Sequence, residues 1–353
     1  MSIKLNQQYQ GKRVFITGHT GFKGAWLMTW LKYLGANVKG YSLPPDVDAL
    51  YRDLPSHSND ESIFADIRNA DILARELISF QPDIVFHLAA QPLVRASYNI
   101  PTDTFDINVS GTSNLLNAVR LYNKSCRVIV ITTDKVYENK EWHYPYRETD
   151  RLGGHDPYSA SKACTELVCA SYKSSFFTKG SGIELITARA GNVIGGGDMA
   201  KDRIIPDIVR ALYKNESIQI RNPHSIRPWQ HVLEPLNGYL ELGVSSHYRH
   251  EKEWDAFNFG PYNEDVLSVQ QLADIAIDSW GKGTITSPEL STQPHEARLL
   301  KLDINKTISV LEWRPRLSAK EAVQWTIDWY KKAQVEDKHK LVVSQIQSYM
   351  ELL

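Results

Sequence analysis

The chain has 353 residues, of which 42% are hydrophobic and 23% are charged, as is typical of a folded globular protein. Lys and Arg total 40 against 41 Asp and Glu, so net charge predicts no nucleic-acid partner and no attachment to a membrane surface. Three cysteines without metal-ligand spacing, no signal-peptide pattern and no apolar run near 18 residues indicate a cytoplasmic protein.

The first half of the chain alternates short apolar runs with longer amphipathic segments, which is typical of parallel strands joined by crossover helices. This predicts an α/β fold, a doubly wound parallel sheet that binds ligands outside the carboxyl ends of its strands. The predicted strands span residues 13–17, 37–41, 62–65, 83–88, 127–132 and 183–189, and the predicted helices about 22–34, 69–80, 103–123 and 157–176.

Beyond about residue 190 the pattern loosens into segments rich in Gly, Pro and basic residues. Only two further helices are predicted there, at about 268–280 and 318–333. We expect a smaller C-terminal α/β lobe, interleaved with the end of the sheet.

A glycine-rich turn, ITGHTGFKG, follows the first predicted strand and opens the first predicted helix. Gly18, Gly21 and Gly24 allow a tight turn and let a pyrophosphate approach the backbone at the positive end of a helix. A strand-to-helix turn without a ligand would use the same glycines, but the position after strand one favours a dinucleotide site. Ser42 stands where an acid would hold the ribose of NAD, so the second strand does not distinguish NAD from NADP.

Asp66 ends the third predicted strand, in FADIRN. We interpret it either as an adenine contact or as an N-cap or surface acid, with no preference between the two.

Tyr158 and Lys162 lie four residues apart on a helix that Pro157 can begin, so that the phenol and the ammonium share a face. We expect the ammonium to lower the pKa of the phenol from about 10 towards neutrality. The phenolate can then take a proton from an alcohol while a hydride leaves. Such pairs also recur by chance in amphipathic helices, and the glycine turn upstream favours the catalytic interpretation.

Polar residues follow the buried fifth strand, where a strand end would more usually carry Gly, Asn or Pro. They are Thr132, Thr133, Asp134 and Lys135. We expect them to carry chemistry at the carboxyl end of the sheet. The structural alternative is that Asp134 and Lys135 form a solvated pair that caps the following loop.

The glycine turn, HLAAQP at residues 87–92, the hydroxyl-ended fifth strand and the YxxxK pair together resemble the extended short-chain dehydrogenase/reductase family acting on nucleotide sugars. TTDKVYEN, ARAGNVIGGGD and RPWQHVLEPLNGYL resemble in particular its branch that dehydrates CDP-glucose. The resemblance runs from about residue 10 to 332. It implies a Rossmann-type sheet, an NAD-binding domain over residues 1–190, a nucleotide-sugar-binding lobe over 191–353, and CDP-glucose as substrate for deoxysugar biosynthesis.

The resemblance implies a cycle in which the sugar is oxidised at C4, loses water across C5 and C6, and receives the hydride back at C6. Thr133 would bond the 4-hydroxyl, Tyr158 would remove its proton and Asp134 would protonate the 6-hydroxyl. The implied catalytic residues are Thr133, Asp134, Lys135, Tyr158 and Lys162. The implied contacts to NAD are Gly18, Thr20, Gly21, Phe22, Lys23, Gly24, Asp66, Ile67, Leu88, Ala89, Ala90, Thr132, Tyr158 and Lys162.

The base at C5 has two candidates. Related dehydratases resemble this pattern but have Glu where this chain has Lys135. A lysine with its ordinary pKa near 10.4 is only about 0.04% neutral at pH 7, so it needs desolvation or nearby positive charge, such as Lys162 and the oxidised nicotinamide, to act as a base. Alternatively, Tyr158 removes this proton and Lys135 stabilises the enolate. The sequence leaves both roles open.

Arginines of the second half resemble those that grip the diphosphate and base in this family, since the guanidinium fork matches pairs of phosphate oxygens. Arg227, in RPWQH, is the first choice, and a surface arginine is the alternative for each. The implied substrate contacts are Gln91, Thr133, Asn192, Arg203, Arg221, Arg227 and Arg298. We expect no metal site, because His231 and His295 lack partners at ligand spacing and His87 is interpreted as structural.

Two other functions fit parts of the pattern. An epimerase or 4-reductase needs Tyr158 and Lys162 but no acid and base at C5 and C6, so Asp134 with Lys135 favours dehydration. An NAD-sensing binding protein that has lost catalysis would have no reason to keep Thr133 beside that pair. The predicted helices at 103–123 and 157–176 resemble those that pair across a two-fold axis in this family, which implies a homodimer or a dimer of dimers.

Overall fold

The computed structural model describes residues 2–55, 61–220, 222–245, 255–286 and 299–353. Seven parallel strands of these residues form a central sheet. They are β1 Arg13–Thr17, β2 Asn37–Ser42, β3 Ser62–Phe64, β4 Ile84–His87, β5 Cys126–Ile131, β6 Ile183–Ala190 and β7 Ala256–Phe259. Their order is β3-β2-β1-β4-β5-β6-β7. Successive strands are added to one side of β1 up to β3 and to the other side from β4 onward, so a ligand crevice is expected at the carboxyl ends of β1 and β4. The predicted Rossmann-type doubly wound sheet is confirmed.

Helices cover both faces of this sheet. Among the described residues, the α-helices are α1 Ser2–Tyr9, α2 Phe22–Tyr33, α3 Ala70–Phe80, α4 Val94–Asn99, α5 Pro101–Phe105, α6 Gly111–Tyr122, α7 Pro157–Ser175, α8 Ile204–Lys214, α9 Leu233–Val244, α10 Val269–Trp280, α11 Asn305–Leu311, α12 Ala319–Lys332 and α13 Lys338–Met350. Three pairs of two-residue strands lie outside the sheet: Val193–Ile194 with Gln230–His231, Ile226–Arg227 with Leu267–Ser268, and Ile218–Gln219 with Ile285–Thr286. No helix of these residues is both long and apolar enough to cross a bilayer.

The core follows from the alternation of side chains along each strand. Val128 and Val130 of β5 face a cluster that includes residues of α3, α6 and α7. Ile129 and Ile131 face the opposite cluster, which also takes in residues of α2, α9, α12 and α13. Both faces of the central strand β5 are therefore covered by apolar side chains. Side chains that could contact a ligand are expected where the strands end.

The predicted helix at 103–123 forms with an interruption. α5 and α6 are joined by a π-helical turn, Asp106–Ser110. The wider turn contains the buried Asn108, whose amide donates to Ser161 Oγ at 2.8 Å and whose Oδ1 accepts from Gln91 N at 2.8 Å. The interruption thus links the loop after β4 to helix α7, which carries the predicted catalytic pair.

The second half is more regular than its sequence suggests. Helices α8 and α9 begin with a proline in the first turn, Pro206 and Pro235, where a missing N–H removes no helix hydrogen bond. A Cβ at Gly238 would lie 2.1 Å from Phe259 Cε1, so this helical glycine lets α9 pack closely on β7. Pro and Gly therefore misled the prediction for this region. The seventh strand comes from beyond residue 190, as the expected interleaving requires.

Candidate active site

The glycine turn after β1 is shaped by backbone contact. Gly18 has a φ of +77°, and a Cβ there would lie 2.6 Å from Ala89 N. A Cβ at Gly24 would lie 2.1 Å from Gly18 O. Gly21 caps α2 without a side-chain hydrogen bond, and a Cβ at Gly21 would meet only Gly18 O, at 3.5 Å. The start of α2 therefore faces open space, a geometry that fits a pyrophosphate at a helix N-terminus.

Hydroxyl groups occupy the end of β2. Thr20 Oγ1 lies 2.8 Å from Ser42 Oγ and donates to Leu43 O at 3.0 Å, so Thr20 joins the glycine turn to this strand end.

The carboxylate of Asp66, after β3, is engaged by Arg68. It accepts from Arg68 Nη2 at 2.7 Å and from Arg68 N at 2.8 Å, and Arg68 also pairs with Asp103 at 3.2 Å. Ile67 packs against Gly111, where a Cβ would lie 2.7 Å from Ile67 Cγ2. The arrangement brings Asp66 to an arginine, and its contact with adenine stays a prediction.

The end of β5 brings four predicted catalytic residues together, which we call the strand-end group: Thr133, Asp134, Lys135 and Tyr158. Thr133 donates to Asp134 Oδ1 at 2.9 Å and lies close enough to Tyr158 for its hydroxyl to act on the pKa of the phenol. Asp134 is 1% exposed, and its Oδ2 has no hydrogen-bond partner among the described residues. An unpartnered buried carboxylate oxygen is rare, and at a strand end it indicates a ligand contact.

Lys135 lies at the rim of this group. Its Nζ is 3.7 Å from Asp134 Oδ1, and its side chain is 34% exposed. The pair expected from the sequence therefore forms, with its carboxylate buried and its ammonium partly in water.

The predicted direction of the Tyr158 pKa is wrong for this structure. Burial raises the pKa of Tyr158 to about 12, and the Asp134 charge adds to this, while Thr133 and Arg203 act to lower it. Lys162 Nζ donates to Ile131 O at 3.0 Å. Burial also lowers the pKa of Lys162 to about 8. Four-residue spacing predicts the shared helix face correctly, but desolvation of the phenol outweighs nearby positive charge.

Lys23 of the glycine turn also belongs to this charged environment. Burial lowers the pKa of Lys23 to about 7; the charges of Arg203 and Lys162 act in the same direction and that of Asp134 against it. Its Nζ lies 5.8 Å from the centre of the Tyr239 ring. The structure thus connects the predicted cofactor turn to the predicted catalytic residues.

The predicted substrate residues fall into three groups. Arg203 pairs with Asp198 at 2.8 Å, and Asn192 Oδ1 is buried without a partner in the described part of the chain. Arg227 donates to Ile226 O at 3.0 Å. Arg221 and Arg298, like His295, lie outside the described residues.

The side chain of Gln91 is hydrogen-bonded to groups of the protein. Its Nε2 donates to Thr104 Oγ1 at 2.9 Å and to Leu93 O at 3.1 Å, and its Oε1 accepts from Leu93 N at 2.6 Å. The amide therefore closes its own loop with both of its ends, and its contact with substrate stays a prediction.

The two described histidines considered as ligands are both buried, and they differ in hydrogen bonding: both ring nitrogens of His87 have partners, whereas His231 Nε2 has none among the described residues. His87 Nδ1 lies 2.6 Å from Thr17 Oγ1 and Nε2 lies 2.9 Å from Thr112 Oγ1, and burial lowers the pKa of His87 to about 3. Burial likewise lowers the pKa of His231 to about 3. No group of three His, Cys, Asp or Glu side chains in the described ranges is arranged to hold a metal ion.

Sequence reasoning missed a buried network behind the strand-end group. Glu166 Oε2 accepts from Thr187 Oγ1 at 2.7 Å and from Arg189 Nη2 at 2.9 Å, and its Oε1 accepts from Thr132 Oγ1 and from Arg189 Nε. We call these four residues the Glu166 network. Glu166 follows Tyr158 by eight residues and Lys162 by four. That helical spacing was the signal that could have found it.

Comparison with known proteins places the chain. A family model described as GDP-mannose 4,6 dehydratase matches residues 15–326. A CDP-glucose 4,6-dehydratase of Salmonella typhimurium is 45% identical over 97% of both chains.

Solved structures agree in fold. An epimerase from Methanothermobacter thermautotrophicus superposes with a TM-score of 0.82 over 98% of both chains at 22% identity. A dTDP-glucose 4,6-dehydratase from Streptomyces venezuelae with NAD bound gives 0.77 over 91% of this chain and 98% of that one, at 24% identity. The resemblance inferred from the motifs is confirmed, and the chain belongs to the GDP-mannose 4,6-dehydratase family.

Proposed function

We propose that the protein dehydrates CDP-glucose to CDP-4-dehydro-6-deoxyglucose with NAD as a recycled cofactor. The observation that carries this proposal is Asp134, a buried carboxylate that accepts from Thr133 and has an oxygen without a partner among the described residues. An epimerase or a 4-reductase needs no acid at that position. The choice of CDP-glucose rests on the relative of that activity at 45% identity.

The residues at the crevice fit NAD. The backbone around Gly18 and Gly24 has no room for side chains, and the uncapped start of α2 suits the pyrophosphate. Leu88 and Ala89 lie against Gly18 and would carry the backbone that faces the cofactor. NAD supplies the acceptor for the hydride from C4 and returns that hydride to C6.

Oxidation at C4 needs a group that takes the hydroxyl proton. Tyr158 is that group, and Thr133, which acts on the pKa of Tyr158, orients the 4-hydroxyl. The high pKa of the buried phenol makes the phenolate a strong proton acceptor, and the Arg203 charge favours the ionised form. Burial of the site keeps these charges effective.

Elimination across C5 and C6 needs a base and an acid on adjacent carbons. Tyr158 already holds the proton from the 4-hydroxyl, so we assign the C5 proton to Lys135 and the protonation of the leaving 6-hydroxyl to Asp134. Lys135 and Asp134 lie 3.7 Å apart, so one proton moved from the ammonium to the carboxylate leaves an amine and an acid together. Elimination restores the Lys135 ammonium and the Asp134 carboxylate. As the hydride returns to C6, C5 takes its proton back from Lys135, and the proton held by Tyr158 then restores the Lys135 ammonium.

The nucleotide would be held by the second lobe, over residues 191–353. Asn192 has a buried Oδ1 without a partner among the described residues, and the charge of Arg203 acts on Tyr158, so we assign both to the sugar diphosphate. Arg227, Arg221 and Arg298 would bind the diphosphate and base. We keep Gln91 as a backbone rather than an amide contact, since its amide closes its loop.

A direct assay tests the reaction. Purified protein is incubated with CDP-glucose and, separately, with dTDP- and GDP-sugars, with and without added NAD, and the 4-keto product is followed by its absorbance in alkali. We expect turnover with CDP-glucose. Turnover with no dependence on bound or added NAD would remove the mechanism, and turnover only with another nucleotide would remove the substrate.

We also propose a cytoplasmic homodimer or dimer of dimers that pairs through α5–α6 and α7. These helices expose apolar side chains, at Phe105, Leu121, Leu167 and Phe176, with exposed fractions of 38% to 60%. Equilibrium sedimentation that finds only single chains would contradict this assembly.

A further inference from the structure

Glu166 is the best-satisfied charged group near the proposed catalytic residues. Its side chain is 4% exposed, and its two oxygens accept four hydrogen bonds, two of them from Arg189. A buried ion pair is not in itself evidence of a stabilising role, because desolvation offsets much of its attraction. We therefore consider whether the position of Glu166 beside the strand-end group has a functional reason.

The network joins the end of β5 and helix α7, which build the strand-end group, to strand β6. Thr132 is the residue before Thr133 at the end of β5, Glu166 lies on α7 with Tyr158 and Lys162, and Arg189 lies on β6.

Arg189 extends the network to the loop after β5. Its Nη1 donates to Tyr137 Oη at 2.9 Å and to Glu148 O at 3.0 Å. Tyr137 follows Asp134 by three residues and donates to Asn258 Oδ1 of β7 at 2.7 Å. The carboxylate of Glu166 on α7 therefore contacts the end of β5 directly and is linked through Arg189 to the loop that follows it.

The same carboxylate acts on the charge of Lys162, one helical turn away. Burial lowers the pKa of Lys162, and the charges of Glu166 and Cys169 on α7 act to raise it. The positive charges of Lys23 from α2 and, when protonated, of His87 from β4 face it as well. The Ile131 carbonyl of β5 accepts a hydrogen bond from Lys162 Nζ at 3.0 Å.

We propose that Glu166 is a positioning residue of the dehydration: it fixes Thr132 so that Thr133 and Asp134 face Tyr158, and it keeps Lys162 in the charged form. This inference rests on the proposed function. It assigns Glu166 no contact with sugar or cofactor. It predicts two separable effects, one through a hydrogen bond and one through charge.

The charge effect is tested with Glu166→Gln. Lys162 is useful when protonated, so activity is lost as pH rises through its pKa, and removing the neighbouring negative charge moves that loss to lower pH. We expect the basic limb of the kcat/KM profile to shift down by about one pH unit. NMR of lysines labelled at the ε-carbon, with Lys162 assigned by Lys162→Arg, should show the same shift in the protein without substrate.

Arg189→Lys is the second variant, in case Glu166→Gln folds poorly. It keeps a positive partner for Glu166 and the Glu166 charge beside Lys162 while removing the contacts to Tyr137 and Glu148. We expect its basic limb to stay in place while kcat falls. An Arg189→Lys limb that moves as far as that of Glu166→Gln would overturn the charge assignment.

The hydrogen-bond effect is tested with a matched pair, Thr132→Val and Thr187→Val. Both remove one hydroxyl that donates to Glu166, but only Thr132 adjoins Thr133. We expect Thr132→Val to lower kcat about tenfold with little change in KM, and Thr187→Val to turn over like wild type. Equal losses in both would contradict positioning.

Failure of this inference is distinct from failure of the proposed function. Wild-type protein without turnover on any nucleotide sugar removes the function. Wild-type turnover with an unshifted profile and an unshifted Lys162 titration in Glu166→Gln removes only the role of Glu166.

Discussion

The strand-end group and the Glu166 network adjoin at the end of β5, and each contains one buried carboxylate. Asp134 is 1% exposed and leaves Oδ2 without a partner among the described residues. Glu166 is 5% exposed and has four donors on its two oxygens. The protein thus satisfies both oxygens of Glu166 but only one of Asp134, and we propose that a ligand contacts the other. Burial alone therefore does not distinguish the two carboxylates, whereas their hydrogen bonding does.

The largest expected effect is that of Asp134→Asn on activity. The amide cannot protonate the 6-hydroxyl, so we expect kcat to fall about 10³-fold, equivalent to about 4 kcal/mol in the barrier. The free energy of unfolding should change by less than about 1 kcal/mol, because Oδ2 has no partner to lose. Steady-state kinetics and urea unfolding measure the two quantities.

Asp150→Asn is the control, since Asp150 accepts from Arg147 N at 2.8 Å at the surface of the following loop. If Asp134→Asn and Asp150→Asn both kept full activity, the assignment of Asp134 as the acid would be contradicted.

Glu166→Gln should show the converse in stability. Neutralising one partner leaves the Arg189 charge buried and unpaired, and we expect the free energy of unfolding to fall by about 3 kcal/mol. Urea denaturation measures it. The control is Glu184→Gln, which breaks a more exposed pair with Arg127 and should lower stability by about 1 kcal/mol or less. Equal losses would mean that burial of the pair is energetically unimportant.

A third buried carboxyl, Glu234, sharpens the comparison through pH. It accepts from Arg316 N, Leu317 N and Tyr349 Oη at 2.9, 2.7 and 2.8 Å, and burial raises its pKa from 4.5 to about 7. The native state then binds this proton more tightly than the unfolded state does. Its contribution is fully present below about pH 4.5 and is lost as pH rises through about 7, by at most about 3 kcal/mol.

Glu166 should act in the opposite sense. Burial would raise its pKa, but the Arg189 charge and hydrogen bonds hold the pKa of Glu166 below its ordinary value. The contribution of Glu166 to stability is present above its unfolded pKa and is lost in acid.

Urea unfolding of the wild type between pH 4.5 and 7.5 should show a decline in unfolding free energy as pH rises, and Glu234→Gln should largely remove that decline. A variant with the unchanged decline would contradict the assignment to Glu234.

The smallest expected effect on stability is that of Lys135→Gln. The Lys135–Asp134 contact is 3.7 Å long and its lysine is 34% exposed, so the change in unfolding free energy should stay below about 0.5 kcal/mol. Activity should nevertheless fall steeply, because the variant has no amine to accept the C5 proton. Exchange of the C5 hydrogen with deuterium from solvent should cease. Continued exchange would assign that proton to Tyr158.

Local patterns in the sequence predicted the sheet and the identity of the main site residues. Glycine spacing after β1 and the four-residue step from Tyr158 to Lys162 are properties of a few neighbouring residues, and strand alternation repeats every second residue. The helices α8 and α9 were not predicted because each contains a proline, Pro206 or Pro235. A proline is compatible with a helix only in its first turn, and the sequence did not show where these helices begin.

Tertiary packing decided what those residues can do. The high pKa of Tyr158, the loop-bound amide of Gln91 and the pairing of Glu166 with Arg189 each depend on groups brought together from distant parts of the chain. Desolvation and hydrogen-bond satisfaction are set by everything that surrounds a group, not by its neighbours in sequence. The sequence therefore identified Asp134 as a candidate acid, and only the folded chain left one of its oxygens without a partner.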